Sequence, residues 1–473
     1  MDESIWNLGG EGTTEVGEAE GVPSRPARDP GNEFYEARPP GAVLLVAERL
    51  LDGIGDDPVR GAAVLVEGGV IVAVGERQRL GAPDTAAVVD LGDRTLLPGL
   101  IDAHIHLFGI DVSNLDGMLT EPDAYRAARA ARDLRRLLAS GFTTVRCLGS
   151  AIGPELARAA RERVIPSPRI VAAGQWICAS GGTWDHLSVP LSFMTRADMF
   201  ADGVDACREA VRRRIRNGAR VIKVGLSASR PAENPEWSGV PFDHLRAMGM
   251  DPHSQQTAFT LEEARAIVDE AHAAGLRVSA HAIGDAPVSM ALDAGVDVVE
   301  HGHGISDATR SRLAETRTPV VPTLSHTYLL VNNGPRYGVD RVVVELARNH
   351  RAVLRSDFRK ALTEGVVIGS GSDMIGPPWA PLGRNAIEIL LLANEGMSAA
   401  AALRSATSVN ARIIGVDDDV GTLEPGKRAD VVAVRGDPLS DLGCLYAMDF
   451  VMQDGVIVKS DGIDGMATAL RWV

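Results

Sequence analysis

Apolar and polar positions alternate with two different periods along the middle of the chain. Segments rich in Ala, Arg and Glu have helical spacing, and one opens on Thr260 with Glu263 three residues later, a capping-box pattern. Between such segments lie eight short runs rich in Val, Ile and Leu: TLLPGLIDAHIH, TTVRCLG, RIVAAGQW, VIKVGLS, RVSAHAI, VDVVEHG, PVVPTLS and VVIGSGSD. Strands that alternate with helices predict an α/β fold, a parallel (β/α)8 TIM barrel over residues 97–416.

Strand-like patterns with turn signals dominate both ends of the chain. Residues 42–96 contain VLLVAERLL and AAVLVEGGVIVAVG, and residues 417–473 contain ADVVAVRGDP and FVMQDGVIVKSDG. Neither segment is long enough for a domain, so we expect the two to combine into one small β-sandwich with the barrel inserted between them. Residues 1–41 lack apolar periodicity and are expected to form an irregular N-terminal arm.

Composition narrows the range of functions. The formal net charge of −15 disfavours nucleic acid and other polyanions as partners. The four cysteines contain no CxxC pair, which favours buried thiols over disulfides or a thiolate zinc site. The N-terminal segment does not resemble a secretory signal, and no apolar run reaches the roughly 18 residues of a membrane span. These features predict a cytoplasmic protein that acts on a small molecule and binds neither nucleic acid nor a membrane.

Polar side chains of the metal-ligand type lie in five of the eight runs. On a strand, residues two apart point the same way, so the imidazoles of His104 and His106 can bind one ion. Lys223 lies between two apolar residues of its run, where an unsatisfied ammonium is costly. Since barrel strands carry the active site at their C-terminal ends, we expect six side chains to converge there: His104, His106, Lys223, His281, His301 and Asp373.

Each of these residues has a simpler explanation when taken alone. An HxH pair or a strand histidine such as His281 is commonly a hydrogen-bonded core residue. Lys223 alone could extend its amine out of the barrel end, and a GSD sequence is commonly a turn. Their joint placement on separate strands favours a metal centre instead.

The same segments resemble the amidohydrolase superfamily, in particular its branch of imidazolonepropionase-like and prolidase-like enzymes. The resemblance covers residues 42–460 and implies a metal-dependent hydrolase with a binuclear centre. It is carried by PGLIDAHIHL (98–107), VIKV (221–224), SAHA (279–282), VEHG (299–302), GSD (371–373) and GTLEPGKRADVV (421–432).

The resemblance implies a role for each ligand. His104, His106 and Asp373 would bind one divalent ion, His281 and His301 a second, and carboxylated Lys223 would bridge them. Nitrogen and oxygen donors suit zinc, cobalt and manganese alike. Two such ions would supply hydroxide for attack on the carbonyl of an amide, urea or carbamate C–N bond. Asp373 would take the proton of that water and pass it to the leaving nitrogen.

Side chains at the strand ends and in the following loops are expected to contact substrate, although each could instead be part of the loop structure. The loop from residue 227 to 257 is long for a βα connection and predicts a lid or pocket wall with an apolar surface. The candidate substrate contacts are Arg146, Trp184, His186, Ser227, Arg230, His303, His326 and Tyr328.

Two segments depart from prolidase-like relatives. SGGTWDH stands where a GGHGD-type run is typical, and LSASR follows the bridging lysine where SGG is common. These differences favour a small apolar substrate, as in the phenylurea and thiocarbamate hydrolases, with a prolidase-like dipeptidase as the alternative. Lys223 argues against a mononuclear deaminase, and the six filled ligand positions argue against a non-catalytic barrel. Because the family often forms oligomers, we also expect a homo-oligomer.

Overall fold

The computed structural model describes residues 41–111, 117–185, 190–228, 256–376 and 378–461. The predicted N-terminal arm, apart from Gly41, and most of the predicted lid, residues 229–255, lie outside these ranges. Within them, no helix has both the length and the apolar character needed to cross a membrane. The four cysteines are free thiols, three of them buried, as the sequence predicts.

One mixed sheet contains strands from both ends of the chain. Its order is β15-β14-β13-β5-β1-β2-β3, with β4 also paired to β1. Antiparallel pairing of β5 with β13 joins the two chain ends, and packing into a sandwich stays a prediction. The strands are β1 (Ala42–Leu50), β2 (Val59–Glu67), β3 (Val70–Glu76), β4 (Ala87–Asp90), β5 (Arg94–Pro98), β13 (Val431–Arg435), β14 (Met448–Gln453) and β15 (Val456–Ser460).

Strand β1 shows why this sheet is apolar at consecutive positions rather than at alternate ones. Val43 and Leu45 pack in one apolar cluster, whereas Leu44 and Val46 pack in another. Successive side chains of a strand point to opposite faces, so both faces of the sheet are covered here.

Seven of the eight central runs form parallel strands: β6 (Leu100–Ile105), β7 (Phe142–Cys147), β8 (Arg169–Ala172), β9 (Ile222–Gly225), β10 (Val278–Ala282), β11 (Val298–His301) and β12 (Val320–Val321). They belong to two sheets, of order β6-β7-β8 and β12-β11-β10-β9. The eighth run is an extended segment held by isolated bridges to β12 and β6. Three parallel bridges extend the pairing beyond the two sheets: Ile177–Val224, Val320–Ile368 and Ile105–Met374.

Helices separate most of the central strands, as an α/β fold requires. The predicted capping box is present at the start of helix α6 (Leu261–Ala273). There Thr260 Oγ1 accepts from the Glu263 backbone amide, and the Glu263 side chain accepts from the Thr260 backbone amide. The helices are α1 (Gly117–Thr120), α2 (Asp123–Ala139), α3 (Gly153–Arg161), α4 (Leu191–Met194), α5 (Val204–Arg216), α6 (Leu261–Ala273), α7 (Asp285–Ala294), α8 (Asp307–Thr316), α9 (Leu324–Asn333), α10 (Arg341–Thr363), α11 (Ile387–Asn394), α12 (Ala399–Ser405) and α13 (Ser408–Ile414).

The main apolar core lies between these helices and the central strands. In α2, for example, Leu134, Leu137 and Leu138 are fully buried at helical spacing and belong to the same cluster as Val145 of β7. The C-terminal ends of the strands carry polar residues instead, and these residues form the candidate site.

Candidate metal centre

The six predicted ligands are all buried. His104 lies near the C-terminal end of β6 and His106 directly after it, while His281 and His301 lie near the C-terminal ends of β10 and β11. Lys223 lies within β9, and Asp373 lies in the extended eighth run. Burial of so many polar groups is unfavourable unless a partner satisfies them. The exposed fractions are 1% for His104, 7% for His106, 1% for Lys223, 5% for His281, 9% for His301 and 9% for Asp373.

Three of the six form a compact group of potential ligand atoms. Atoms of His104, His106 and Asp373 lie within 4.8 Å of one another. Oδ1 of Asp373 is 3.5 Å from Nε2 of His104 and 3.2 Å from Nε2 of His106. His104 of β6 and His106 directly after β6 therefore both direct Nε2 toward one carboxylate, as the strand period predicts.

Hydrogen bonds on the far side of each ring fix these two imidazoles. Nδ1 of His104 lies 2.7 Å from Oε2 of Glu300, and Nδ1 of His106 lies 2.9 Å from the carbonyl oxygen of Gly149. Both acceptors favour the tautomer with the proton on Nδ1, which leaves the Nε2 lone pairs for a ligand.

The other two histidines and the lysine border this group. The His301 ring centre lies 4.6 Å from that of His281 and 5.3 Å from that of His104. Nδ1 of His301 is 2.7 Å from the Thr323 hydroxyl. Among the described residues, Nε2 of His281 and Nζ of Lys223 have no hydrogen-bond partner although both are buried. Burial of these two nitrogen atoms is unfavourable unless a bound group satisfies them.

Burial sets the protonation states of the site. It lowers the pKa of His104 to about 4 and, with the Lys223 charge, holds the pKa of His281 well below its usual value. Burial also lowers the pKa of Lys223 to about 8. For Asp373, burial works to raise the pKa, but electrostatic interactions with His104 and His326 and a hydrogen bond with His106 outweigh it and hold the pKa well below the ordinary value. Neutral imidazoles and an ionised carboxylate are the forms that bind metal ions.

Backbone conformation at the site is strained. His301 has φ 69°, Thr323 has φ 53° and Asp373 has φ 51°, values in the left-handed region that non-glycine residues rarely adopt. Residues held in this region cluster at functional sites, where the surrounding structure imposes them.

Glu300, which the sequence analysis did not single out, lies directly behind the site. It is fully buried on β11 and bonds to Arg146 and Ser279 as well as to His104. Burial works to raise its pKa, but the Arg146 charge and the interaction with His104 lower that pKa to about 2. The signal was available in the sequence, since a carboxylate in the apolar run VDVVEHG needs a partner as much as Lys223 does.

The predicted substrate contacts lie at different depths, and their contact with substrate stays a prediction. Arg146 is buried, with Nε 2.5 Å from the Ala103 carbonyl and Nη2 2.6 Å from Glu300. Ser227 is also buried and accepts from the Ile283 amide at 2.9 Å. His186 and Arg230 lie outside the described residues.

Trp184 and His326 are the candidates that border the ligands. The Trp184 ring centre is 5.6 Å from that of His281 and 5.7 Å from Nζ of Lys223. Nδ1 of His326 lies 3.1 Å from the Asp373 carbonyl oxygen. His303 is buried with its ring centre 6.0 Å from that of His350, and the Tyr328 ring lies 4.9 Å from the Arg351 guanidinium.

Comparison with known proteins shows similarity over most of the chain. A sequence profile of the amidohydrolase family matches residues 95–460. The chain is similar to ochratoxinase of Aspergillus niger, with 28% identity over 453 residues that cover 89% of this chain and 87% of ochratoxinase. The crystal structure of that ochratoxinase has a TM-score of 0.76 to this chain and covers 89% of it and 97% of its own length.

Two further structures are similar. A Xaa-Pro dipeptidase with bound methionine in its active site has 28% identity and a TM-score of 0.75, and covers 88% of this chain and 99% of its own. Phenylurea hydrolase B has 22% identity and a TM-score of 0.73, and covers 90% of this chain and 99% of its own. At 22% identity, the similarity to phenylurea hydrolase B shows a shared fold alone.

Proposed function

The chain belongs to the amidohydrolase family, and we propose that it hydrolyses an amide, urea or carbamate C–N bond of a small apolar molecule. In this proposal, two divalent metal ions are held by the six strand-end side chains. The observation that carries it is the convergence of buried donors at these strand ends, where the nitrogen atoms of Lys223 and His281 lack a hydrogen-bond partner among the described residues.

The donor set fits the proposed ions. His104, His106 and Asp373 would hold one of them, because their ligand atoms already face each other. His281 and His301 would hold the second. A lysine with a pKa of about 8 is partly neutral at pH 7, and the neutral amine of Lys223 can react with carbon dioxide to give an anionic carbamate and a proton. The carbamate would provide an anionic ligand for the ions in place of the lysine cation.

Each of several side chains at the site would have its own role in the reaction. When bound, divalent ions supply Lewis acidity and lower the pKa of water. The ionised Asp373 carboxylate would accept a proton from the attacking water and return it to the leaving nitrogen. His326 would keep Asp373 in place by donating from Nδ1 to its carbonyl oxygen. Trp184, stacked on Trp176 at 4.6 Å, would shield Lys223.

We also propose that the three isolated bridges complete a closed (β/α)8 barrel. Two backbone hydrogen bonds support closure through the eighth run: the Gly369 amide donates to Val320 at 2.9 Å, and the Ala103 amide donates to Ser370 at 3.0 Å. A closed ring would direct all six ligands to one mouth. We propose in the same way that the two terminal segments pack as a β-sandwich and that the domain bounds are those predicted from the sequence. We also propose that the chain forms a homo-oligomer.

A prolidase-like dipeptidase is the second candidate function. It is favoured by the similarity to a Xaa-Pro dipeptidase over 88% of this chain. The two candidates differ in what the pocket must bind besides the scissile bond, because a dipeptide carries a free carboxylate and an aryl urea does not. A carboxylate requires cationic or hydrogen-bonding groups beside the metal centre.

Metal content tests the proposed centre. Protein purified with bicarbonate should contain about two divalent ions per chain by elemental analysis. Lys223→Ala should lose most of this metal, whereas Lys360→Ala, which removes an exposed lysine of α10, should keep it. One ion or none in the wild-type protein, unaffected by Lys223→Ala, would exclude the binuclear centre.

A matched substrate panel tests the chemistry. It pairs Xaa-Pro dipeptides with their carboxamides and adds phenylureas, aryl carbamates and aryl amides, all assayed with metal-loaded protein. Hydrolysis of the neutral members supports the proposed function, and hydrolysis restricted to free dipeptides assigns the prolidase-like alternative. A fully loaded protein that cleaves no C–N bond in the panel would overturn the proposal.

A further inference from the structure

Glu300 connects three other strands through its two carboxylate oxygens. Oε2 lies 2.7 Å from Nδ1 of His104 on β6. Oε1 accepts from Nη2 of Arg146 on β7 at 2.6 Å and from the hydroxyl of Ser279 on β10 at 2.5 Å. The side chain is fully buried, so no solvent competes for these bonds.

The strands joined in this way carry three of the histidine ligands. His104 is bonded directly, and His301 follows Glu300 in the chain. Ser279 lies two residues before His281 on β10, so their side chains point to the same face. One carboxylate is therefore in contact with, or adjacent to, the elements that place His104, His281 and His301.

The contact with His104 also determines which of its nitrogens can bind a ligand. An ionised carboxylate only accepts hydrogen bonds, so Nδ1 of His104 must donate to Glu300. Nε2 then carries a lone pair, and this atom lies 3.5 Å from Oδ1 of Asp373. Such partners of a ligating histidine fix its tautomer and ring orientation and raise its basicity.

Arg146 holds the carboxylate itself in place. Its Nε donates to the Ala103 carbonyl at 2.5 Å, which anchors the guanidinium to β6 next to His104. The Arg146 side chain is as buried as that of Glu300, so each charge is balanced by the other.

We propose that Glu300 is a positioning residue that orients His104 for metal binding and fixes the strands of His281 and His301 around the same centre. This inference rests on the proposed function, since it assumes that these histidines bind metal. It goes beyond that function by assigning a role to the buried ion pair of Glu300 and Arg146, neither of which is among the proposed metal ligands.

Cobalt titration of the metal-free full chain tests the role, with the visible absorption of bound Co²⁺ as the readout. Loss of such a partner typically weakens metal binding by about 10–100-fold, and we expect this for Glu300→Gln. The Gln amide can donate to Nδ1 of His104, which favours the tautomer with a proton on Nε2. Glu300→Asp, which keeps the charge but shortens the reach, should retain part of the affinity.

A double variant tests whether Glu300 positions His104 or only forms a structural ion pair with Arg146. Arg146→Met with Glu300→Gln leaves no buried charge without its partner, so thermal stability should partly recover relative to Glu300→Gln alone. The cobalt affinity should not recover, because the acceptor for His104 is still missing. Glu395→Gln serves as the matched control, since Glu395 is another buried glutamate paired with two arginines, Arg355 and Arg359.

The outcomes distinguish this inference from the proposed function. If the wild-type chain binds no Co²⁺, the proposed metal centre fails. If the wild-type chain binds Co²⁺ and Glu300→Gln binds it equally well, the metal centre stands and the positioning role is wrong. Recovery of both stability and cobalt affinity in the double variant would also overturn the positioning role.

Discussion

A Cβ atom at Gly225 would lie 2.9 Å from Cζ3 of Trp184 and 3.2 Å from its Cε3. Gly225 is two residues beyond Lys223 on β9 and therefore faces the same way. The absence of a side chain leaves room for the Trp184 ring, which lies 5.7 Å from Nζ of Lys223 and stacks on Trp176. The glycine thus allows an indole ring to cover the lysine amine.

Gly225→Ala should displace Trp184 and disturb the Lys223 environment. Overpacking of a close-packed site costs about 1–3 kcal/mol, so we expect a loss of this size in the free energy of unfolding. Metal content should fall as well, because the Lys223 amine becomes more hydrated. Urea unfolding and elemental analysis measure the two effects.

Gly81→Ala is the control for this substitution, since a Cβ atom there meets no atom within 4 Å. Its stability should stay within about 0.5 kcal/mol of the wild type, and its metal content should not change. Equal behaviour of the two alanine variants would show that Trp184 does not depend on Gly225.

Asp373→Asn should abolish most turnover while the fold is kept. Asp373 has φ 51°, and Asn tolerates this left-handed conformation better than most residues. The amide cannot accept and return a proton as the carboxylate would, so kcat should fall by about 100-fold or more. Steady-state kinetics on a substrate from the panel and thermal melts test both parts. A kcat within a few-fold of wild type would exclude Asp373 as the proton carrier.

The convergence of His104 and His106 could be predicted from the sequence because strand geometry makes it local. His104 and His106 are two apart at the end of β6, and their Nε2 atoms both face Asp373. The eighth run, by contrast, is not a regular strand. Its Gly371 is packed so closely that a Cβ atom would lie 2.8 Å from Cβ of His104, a restriction that is visible only in three dimensions.

Which side chains pair behind the ligands could not be predicted from the sequence. Glu300 and His104 are separated by 196 positions, and no period or motif connects them. Arg146 illustrates the same limit, because a strand-end arginine can point into the mouth or pack behind it. In the structure, its hydrogen bonds go to Glu300 and to the Ala103 carbonyl. Pairings across strands follow from the three-dimensional packing of the fold rather than from local pattern.

Removal of metal should lower the thermal stability of the protein. The nitrogen atoms of Lys223 and His281 are buried without partners among the described residues, so a bound ion would satisfy groups that are otherwise costly to bury. A ligand that binds only the folded state stabilises it by an amount that grows with the logarithm of the ligand concentration above Kd, and so raises the melting temperature. Scanning calorimetry with a chelator, followed by re-addition of zinc, cobalt or manganese, measures the effect. An identical melting temperature with and without metal would contradict it.

Stability should also depend on pH through Glu388. This glutamate of α11 is buried and accepts from the amides of Leu324 at 3.0 Å and Ser325 at 2.7 Å. Burial raises its pKa from 4.5 to about 8. Between these two values the folded chain holds a proton that the unfolded chain has released. The stabilising effect is complete below the unfolded pKa and is lost as pH rises through the folded pKa.

Glu388→Gln isolates this dependence because its amide does not ionise. From about pH 5 to pH 8 the free energy of unfolding of the wild type should fall relative to that of Glu388→Gln. Urea unfolding of both proteins at stepped pH measures the difference, with Glu315→Gln, an exposed residue of α8, as the control that should follow the wild type. Parallel pH profiles for wild type and Glu388→Gln would mean that Glu388 is ionised in the folded protein, its charge satisfied by the two amides at the start of α9.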